Sequence, residues 1–231
     1  MKRTIKMLLR RFGYDVVEYK PVFEGALKRC AIDTVIDVGA NTGQFATEIH
    51  GLLPAAKHIY SFEPLHDVYL EMEKRCSGIP GFKGFNIGLG EKNGTISIKR
   101  SKYSPSSSFL PMGSLHKKRY PKTAETFDEQ VEMKRLDDVA PGLDLSGNVL
   151  LKMDVQGFEG AVIKGGPATV SKAKVLLLET SFVELYEGQP LFDDIYRLLR
   201  PLGFKYIGRF AQHWDNKADE VMYEDSVFVK A

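Results

Sequence analysis

The sequence predicts an α/β protein with a doubly wound, mainly parallel sheet. Three observations predict this fold class. Short apolar runs, rich in β-branched residues, alternate with segments that have helical periodicity along the chain. A glycine turn, Gly39-Ala-Asn-Thr-Gly43, follows one of these runs and precedes a helical pattern. Acidic residues end other runs, at the sheet edge where folds of this class bind ligands.

Length and composition indicate one soluble domain. The chain has 231 residues, of which 43% are hydrophobic and 27% charged, as in ordinary globular proteins. It contains no apolar run near 18 residues, so we expect no membrane span. The formal net charge of +2 is too small to favour a nucleic-acid partner.

Cysteine and histidine usage give no sign of a disulfide or a metal. Cys30 and Cys76 are far apart, and the five histidines form no ligand motif. We therefore expect reduced, packing thiols, no bound metal and a cytoplasmic location.

Residues 1–30 are predicted as a basic helical extension of a catalytic domain that spans residues 31–231. Apolar residues at helical spacing alternate with basic ones in residues 1–14, which contain no acid. One interpretation is a helix packed on the domain with its basic face in solvent. The alternative is a peripheral membrane contact through this helix.

The segment Thr34–Val38 is predicted as a buried strand, and the helix after the glycine turn begins at Gln44. The turn lacks the three-glycine spacing of a dinucleotide site, which disfavours NAD. Asp37 precedes Gly39 by two residues and would repel a pyrophosphate, but it suits a ligand with an ammonium and a sulfonium. This predicts S-adenosylmethionine as the cofactor.

A second strand is predicted over His58–Phe62, followed by Glu63 and Pro64. Glu63 stands where a Rossmann-like sheet places an acid to accept both ribose hydroxyls. Pro64 cannot donate to a strand ladder, so it ends the strand.

The middle of the chain is less regular. Asp67–Cys76 is predicted as a helix, Phe82–Leu89 as the third strand and Thr95–Lys99 as an added strand. Residues 101–126 are polar, contain three prolines and lack periodicity, so they are expected to form a lid or substrate loop. Residues 131–139 are expected to form a short strand with a turn near its end.

Later elements follow the same alternation. The predicted elements are a strand over Asn148–Val155, a helix over Glu159–Ala173 interrupted near Gly165-Gly166-Pro167, a strand over Val175–Glu179, a helix over Phe192–Leu199, and strands over Phe204–Gly208 and Ser226–Lys230.

A second chemical site is predicted after the strand that ends at Asp154. Gly157 allows the chain to turn, and Glu159 begins the next helix, where a carboxylate is favoured. A carboxylate can accept the proton of an alcohol that attacks a sulfonium methyl. Asp154 is therefore the predicted catalytic residue, with Glu159 in support. The alternative is a purely structural role, in which the two acids only cap a strand end and a helix.

With these motifs assembled, the chain resembles the FkbM-type methyltransferases, which depend on S-adenosylmethionine. The matching stretches are Val35–Phe45, Tyr60–Pro64, Phe85–Gly90, Leu150–Glu159, Val175–Glu179 and Asp225–Val229. The resemblance implies a seven-stranded class I methyltransferase sheet with the last strand antiparallel. It also implies O-methyl transfer to a hydroxyl of a small molecule or a glycan.

The resemblance also implies roles for individual residues. The methionine end of the cofactor would be contacted at the glycine turn, by Asp37, Gly39, Ala40, Asn41 and Gly43, with Gln44 and Phe45 beside them. The ribose would lie at Glu63 and Pro64, and the adenine near Asn86 and Gly88. Ser108, in the serine cluster 106–108, would line the pocket, although the cluster could instead be a flexible linker. Gln156 stands where many members have Glu, which makes a metal cluster there less favourable.

Two other functions stay open at this point. One is methyl transfer to RNA or protein, for which the sequence offers no basic stripe with interleaved aromatic residues. The other is a non-catalytic protein that only binds an adenosyl ligand, which the pair Asp154 and Glu159 disfavours.

Overall fold

The computed structural model describes residues 7–9, 11–12, 21–215 and 218–231. Most of the predicted N-terminal helix lies outside the described residues. Within it, residues 7–9 are helical, and Met7, Leu8 and Phe12 are exposed. The proposed division into residues 1–30 and 31–231 stays a prediction.

Strands and helices alternate from residue 22 to the end. The strands are β1 Thr34–Val38, β2 His58–Phe62, β3 Phe82–Phe85, β4 Gly88–Leu89, β5 Gly94–Ser101, β6 Thr126–Lys134, β7 Val149–Met153, β8 Ala173–Ser181, β9 Phe204–Asp215 and β10 Glu220–Lys230. The α-helices are α1 Val22–Cys30, α2 Gln44–Leu52, α3 His66–Cys76, α4 Ser114–Arg119, α5 Leu136–Val139, α6 Glu159–Gly165, α7 Pro167–Lys172 and α8 Phe192–Leu199. Short 3₁₀ turns occur at Ser104–Ser106, Pro121–Thr123, Ala140–Gly142 and Arg200–Leu202.

Seven strands form the main sheet in the order β3-β2-β1-β7-β8-β10-β9. β10 runs antiparallel to both of its neighbours, whereas the pairings among the first five strands of this order are parallel. This confirms the predicted Rossmann-like sheet with the final strand antiparallel. The strand order reverses between β1 and β7, and the crevice beside such a reversal is where open α/β sheets bind ligands.

The two central strands are buried on both faces, as their continuous apolar sequences predict. On one face, Ile36 and Leu151 pack with residues of α6 and α8 such as Val162 and Leu199. On the other face, Val35 packs with residues of the three first helices: Phe23, Ala46, Ile49 and Met72. The helices therefore fix the sheet from both sides and leave its carboxyl edge for ligands.

Two expected strands were wrong in their bounds. Phe82–Leu89 is not one strand, because the chain leaves the main sheet after β3 and pairs as β4 with β6 in a second sheet of order β4-β6-β5. Asn86 marks this change of direction, since its Nδ2 donates to the carbonyl oxygens of Glu63 and Pro64 at 3.0 and 2.9 Å. Residues 131–139 are also divided: β6 already begins at Thr126, paired along β5, and α5 follows it.

Residues 101–126 are more ordered than their composition predicts. They contain α4, and Met112 and His116 are buried. Met112 packs with Leu185 and Tyr186, so distant contacts rather than local periodicity hold this segment. The late strands β9 and β10 are likewise longer than predicted and form an antiparallel pair.

Two predictions about helices were right. The helix break at Gly166-Pro167 separates α6 from α7, and α8 has the predicted bounds. Cys30 and Cys76 are both free thiols. In the part of the chain that the structure describes, no helix combines the length and apolar character needed to cross a membrane.

Candidate active site

Three adjoining hollows open at the carboxyl edge of the main sheet, and Asp154 lines all three. The Glu63 cleft is bordered by residues that include Gly39, Asn41, Glu63, Pro64, Gly88, Ser108 and Gln156. The Asp225 cavity is lined by residues that include Ala40, Gln44, Phe45, Glu48, Lys152, Glu179, Phe210 and Asp225. The His116 cavity is lined by residues that include Ser106, His116, Tyr120, Thr123, Gln156, Glu179 and Tyr223.

Pro105, like Asp154, lines each of the three hollows. The segment around it is tied to the sheet edge by side-chain hydrogen bonds. Asn41 Nδ2 donates to Ser104 Oγ at 3.1 Å, and Ser108 Oγ donates to the carbonyl oxygen of Gln156 at 2.7 Å. From the sequence, the serine cluster 106–108 could be either a pocket wall or a flexible linker. These contacts make it part of the wall of the hollows.

Glu63 follows β2 and is only 5% exposed. Its Oε2 accepts a hydrogen bond from the Asn41 backbone N–H at 3.0 Å, and its Oε1 accepts one from Leu65 N–H at 2.9 Å. Burial raises the pKa of this carboxyl to about 7. Each oxygen keeps acceptor capacity beyond its one backbone partner, and the residue lines the cleft.

The glycine turn brings the backbone of β1 against that of β7. Gly39 has φ +77°, and a Cβ atom built there would lie 1.9 Å from the carbonyl oxygen of Asp154. A side chain at this position would therefore force the two strand ends apart. Asn41, at φ +45°, lines the cleft, where its backbone N–H donates to Glu63 and its Nδ2 donates to Ser104.

Lys152 is a buried cation beneath this turn. Its Nζ donates to the carbonyl oxygen of Gly39 at 2.9 Å and lies 3.1 Å from Asp37 Oδ1 and 3.8 Å from Asp154 Oδ2. Burial lowers the pKa of Lys152, but the carboxylates of Asp37 and Asp154 outweigh it, and the pKa is raised above its ordinary value. Lys152 is thus a charged tie between the glycine turn and Asp154.

Four predicted site residues are absent from the described walls of the three hollows: Asp37, Gly43, Asn86 and Glu159. Asp37 is fully buried, paired with Lys152, and burial raises its pKa. Gly43, at φ +81°, allows α2 to approach α3, because a Cβ there would lie 2.6 Å from Cys76 Sγ. Asn86 holds the backbone of Glu63 and Pro64, as described above. These residues lie behind the walls of the hollows, and their predicted roles at the site stay predictions.

Glu159 has a similar supporting position at the start of α6. It is 3% exposed, and its Oε1 accepts a hydrogen bond from Val155 N–H at 2.9 Å. Burial raises its pKa to about 7. Glu159 therefore fixes the turn that carries Asp154 and Gln156.

Asp154 is a partly exposed carboxylate of the site, with 38% of its side chain accessible. Its Oδ1 accepts a hydrogen bond from Gln156 Nε2 at 2.8 Å, and the same amide nitrogen donates to Glu179 Oε1 at 3.1 Å. Tyr186 OH donates toward Gln156 Oε1 at 2.9 Å and lies 3.1 Å from the Ser106 carbonyl oxygen. Gln156, at φ +55°, is thus a fixed bridge between two carboxylates.

Several residues that line this site were not predicted from the sequence. Glu179 and Asp225 face each other across the β8–β10 pairing. Burial and then Asp154 raise the pKa of Glu179 well above its usual range and that of Asp225 to about 6. The strand-end position of Glu179 could have revealed it, as it did Asp154. Gln156 as a bridge, Tyr186 and His116 carry no such local signal.

The arrangement suits the recognition of hydroxyl groups. Carboxylates, an amide and aromatic side chains surround the point where the three hollows meet. Among the described residues, no group of three or more His, Cys, Asp or Glu side chains could hold a metal ion.

Comparisons with known proteins show the family to which the chain belongs. The model of the methyltransferase FkbM domain matches residues 37–206. A 2-O-methyltransferase, NoeI, from Sinorhizobium fredii is 30% identical over 182 residues, which cover 76% of this chain and 74% of that protein. The methyltransferase sdnD of Sordaria araneosa is 30% identical over 193 residues, covering 74% of this chain and 73% of that protein.

Solved structures with a related shape are more distant. A precorrin-6y methyltransferase from Geobacter metallireducens has a TM-score of 0.44 at 9% identity and covers 93% of this chain and 90% of its own. The fibrillarin pre-rRNA processing protein of Methanococcus jannaschii has a TM-score of 0.44 at 10% identity, covering 93% and 70%. The domain match and the two sequence relatives, each spanning most of the chain, carry the conclusion. The chain belongs to the FkbM family of methyltransferases.

Proposed function

We propose that this enzyme transfers the methyl group of S-adenosylmethionine to a hydroxyl of a small molecule or a glycan, with Asp154 as the residue that positions or deprotonates that hydroxyl. The observation that carries the proposal is the position of Asp154, whose partly exposed carboxylate is shared by the Glu63 cleft and the two further cavities. The bacterial relative NoeI, which is named as a 2-O-methyltransferase, supports oxygen as the methyl acceptor.

The Glu63 cleft fits the cofactor that the family implies. The carboxylate of Glu63 would accept the ribose hydroxyls, and the apolar residues Ile87, Leu89 and Phe109 offer a wall for the adenine. Gly88 keeps this part of the cleft open, since a Cβ there would crowd Phe109 Cζ at 2.7 Å. When bound, S-adenosylmethionine supplies an electrophilic methyl group on its sulfonium. Ser108 and the turn at Gly39–Asn41 would complete its surroundings.

The chain's own residues then orient the acceptor. Gln156 and Lys152 hold the Asp154 carboxylate at the meeting point of the hollows. From there Asp154 can accept a hydrogen bond, or the proton itself, from the reacting hydroxyl. Much of the rate can come from alignment of nucleophile and methyl group alone, so the position of Asp154 matters as much as its basicity.

We also propose that residues 101–126 cover the acceptor. Tyr103 and Pro105 line the Asp225 cavity, and His116, Tyr120 and Thr123 line the His116 cavity. The cytoplasmic location and the absence of a nucleic-acid partner remain predictions from the sequence.

The substitution Asp154→Asn tests the mechanism because it keeps the shape of the side chain but removes its ability to accept a full proton. We expect methyl transfer to fall by roughly 10²–10⁴-fold while affinity for S-adenosylhomocysteine changes little. Radiolabelled methyl transfer to a panel of glycosides, RNA and protein would measure the rate, and titration calorimetry the affinity. Glu159→Gln serves as the matched control for loss of a supporting carboxylate.

The same assay separates the alternatives. Methylation of RNA or protein without methylation of any glycoside or small alcohol would replace the proposed acceptor class. Binding of S-adenosylhomocysteine without transfer to any class would favour a non-catalytic adenosyl-binding protein. Wild-type turnover by Asp154→Asn would remove Asp154 from the chemistry.

A further inference from the structure

Three acidic side chains form a row across the carboxyl edge of the main sheet: Asp154, Glu179 and Asp225. Asp154 directly follows β7, and Glu179 lies in the neighbouring β8, where Met153 and Leu178 pair one position earlier. Glu179 pairs in turn with Asp225 of β10. Because neighbouring strands lie about 4.8 Å apart, the middle acid of the row has a carboxyl group on each side of it.

The charges around this row are unevenly compensated. Lys152 Nζ lies 3.8 Å from Asp154 Oδ2, whereas neither Glu179 nor Asp225 forms an ion pair with any of the described residues. Carboxyl groups this close together do not all ionise freely. Burial raises the pKa of Glu179 well above its usual range, and nearby carboxylates raise it further, those of Asp154, Glu159 and Asp225. Glu179 is therefore the member of the row that is expected to hold a proton.

Glu179 is also within reach of a ligand. It is partly exposed and lines both the Asp225 cavity and the His116 cavity. Its Oε1 accepts a hydrogen bond from Gln156 Nε2 at 3.1 Å, and the same nitrogen donates to Asp154 Oδ1 at 2.8 Å. None of the described residues forms a hydrogen bond with Glu179 Oε2, which is not fully buried. Oε2 is thus the oxygen that can carry the proton and meet a ligand.

We propose that Glu179 is protonated in the working enzyme and donates a hydrogen bond to an oxygen of the acceptor molecule that neighbours the reacting hydroxyl, while Asp154 accepts from that hydroxyl. This inference rests on the proposed function. During transfer the hydroxyl oxygen bonds to the methyl carbon, the bond from that carbon to sulfur breaks, and the hydroxyl proton passes to Asp154. Glu179 keeps its own proton throughout.

This arrangement defines a class of acceptor. A donor held beside an acceptor selects a hydroxyl that is flanked by a second oxygen, as in a vicinal diol, over an isolated alcohol. The shared Gln156 amide fixes the two carboxyl groups relative to each other, so the spacing of the two oxygens is part of what is recognised. Glu179 is in this sense a specificity-determining residue.

Two substitutions test the donor. Glu179→Gln places an amide nitrogen where the protonated Oε2 would stand and keeps an oxygen for the bond from Gln156. Glu179→Met has a similar length but no donor. With the best-methylated glycoside of the panel, we expect Glu179→Met to raise KM at least tenfold with unchanged affinity for S-adenosylhomocysteine, and Glu179→Gln to recover most of that loss. An equal rise in KM for both variants would show that no donor is needed.

Deoxy analogues of that glycoside test the specificity directly. The monodeoxy analogue that lacks the oxygen beside the methylated position should show the raised KM with the wild-type enzyme and no further rise with Glu179→Met. If Glu179 were merely structural, Glu179→Met would raise KM for glycoside and analogue by the same factor. That result would overturn the proposal.

If the wild-type enzyme methylates no glycoside, the proposed function fails by itself, and carbon-13 NMR of glutamate labelled at Cδ then decides the role of Glu179. Loss of one resonance in Glu179→Gln identifies it in the complex with S-adenosylhomocysteine. We expect a protonated carboxyl at pH 7, and the neighbouring phenols of Tyr186 and Tyr223 stay neutral there because burial raises their pKa values. Added glycerol, as a vicinal-diol probe, should shift this resonance. An ionised Glu179 at pH 7, or a resonance that glycerol does not move, overturns the proposal.

Discussion

At the scale of single residues, Glu63 connects cofactor binding to pH. Burial raises its pKa to about 7, so the free protein carries a mixture of acid and carboxylate near neutral pH. Ribose hydroxyls donate best to the carboxylate, and binding should therefore release a proton below pH 7.

We expect the dissociation constant of S-adenosylhomocysteine to rise about tenfold as the pH falls from 8 to 6, because the carboxylate fraction of Glu63 falls by that factor. Calorimetric titrations at several pH values measure this. Glu63→Gln should bind more weakly at pH 8 and show little pH dependence. NAD, as a control ligand, should not bind. An equal pH slope in both proteins would show that another group is responsible.

Gln156 illustrates the limit of sequence reasoning at this scale. Its sequence position indicated only that a carboxylate was missing there. The structure adds that its amide donates to both Asp154 and Glu179 and accepts from Tyr186, a residue distant in sequence. Asp154 and Glu63 were predictable because each directly follows an apolar strand. Bridges between loops, such as Gln156 and Tyr186, depend on tertiary folding that a local pattern does not contain.

At the scale of elements, the glycine before α2 and the glycine inside it differ in whether a side chain would fit at their positions. Gly43 precedes the helix at φ +81°, close to Cys76, whereas Gly51 lies inside the helix with open space where a Cβ would be. The first glycine is required by geometry and the second is not.

Gly43→Ala should lower the free energy of unfolding by about 2–4 kcal/mol, from the strained backbone and the crowding of Cys76. Gly51→Ala, the matched control, should raise it by about 0.5–1 kcal/mol, since alanine favours helix. Urea unfolding at constant pH measures both. If the two substitutions had the same sign, the packing role given to Gly43 would be wrong.

The segment 101–126 is the second element with a testable role. It is fixed at the site by the contacts of Ser104, Ser106 and Ser108, yet half of its helix α4 is exposed. We expect limited proteolysis within 101–126 to slow when S-adenosylhomocysteine and an acceptor are bound. Ser108→Ala should speed cleavage in the free protein. Equal cleavage rates with and without ligands would contradict a covering role.

Element boundaries were predictable where the local signal agreed with the final packing. The glycine turn, the start of α2 at Gln44 and the break before Pro167 belong to this group. The chain passes from the main sheet to the second sheet at Asn86, between β3 and β4. This was not predictable, because it depends on hydrogen bonds from Asn86 to Glu63 and Pro64, which follow β2. The helix α4 was missed because its basic residues, Lys117, Lys118 and Arg119, give no apolar periodicity, and only His116 of this helix is buried.

At the scale of the whole molecule, the site brings together several buried carboxyl groups, which reduces the free energy of unfolding near neutral pH. Burial raises the pKa values of Glu63 and Glu159 to about 7 and, with Asp154, that of Asp225 to about 6. A raised pKa in the folded state means that the folded protein holds the proton more tightly than the unfolded chain. Stability from these groups is therefore complete below pH 4.5 and is lost as the pH rises through 7.

The free energy of unfolding of the ligand-free enzyme should therefore increase as the pH falls from 8 to 6. Glu63 and Glu159 should each contribute on the order of 1 kcal/mol over this range. His116, whose pKa burial lowers, opposes the trend below pH 6.5. Urea unfolding at pH 8, 7 and 6 measures the slope, and Glu159→Gln should reduce it. A stability that falls over this range would show that the acids are not buried as described.

The position of Pro105, which lines all three hollows, has a thermodynamic consequence. Because one short stretch of chain borders both the Glu63 cleft and the two cavities beyond it, a ligand that orders this stretch from one side prepares it for a ligand on the other. S-adenosylmethionine and the methyl acceptor would then bind with positive cooperativity. By reciprocity, each would raise the affinity of the enzyme for the other by the same factor. When the methylated product leaves, the affinity of the cleft for S-adenosylhomocysteine would therefore fall as well. Release of the product would then favour release of S-adenosylhomocysteine through the same proline-containing turn.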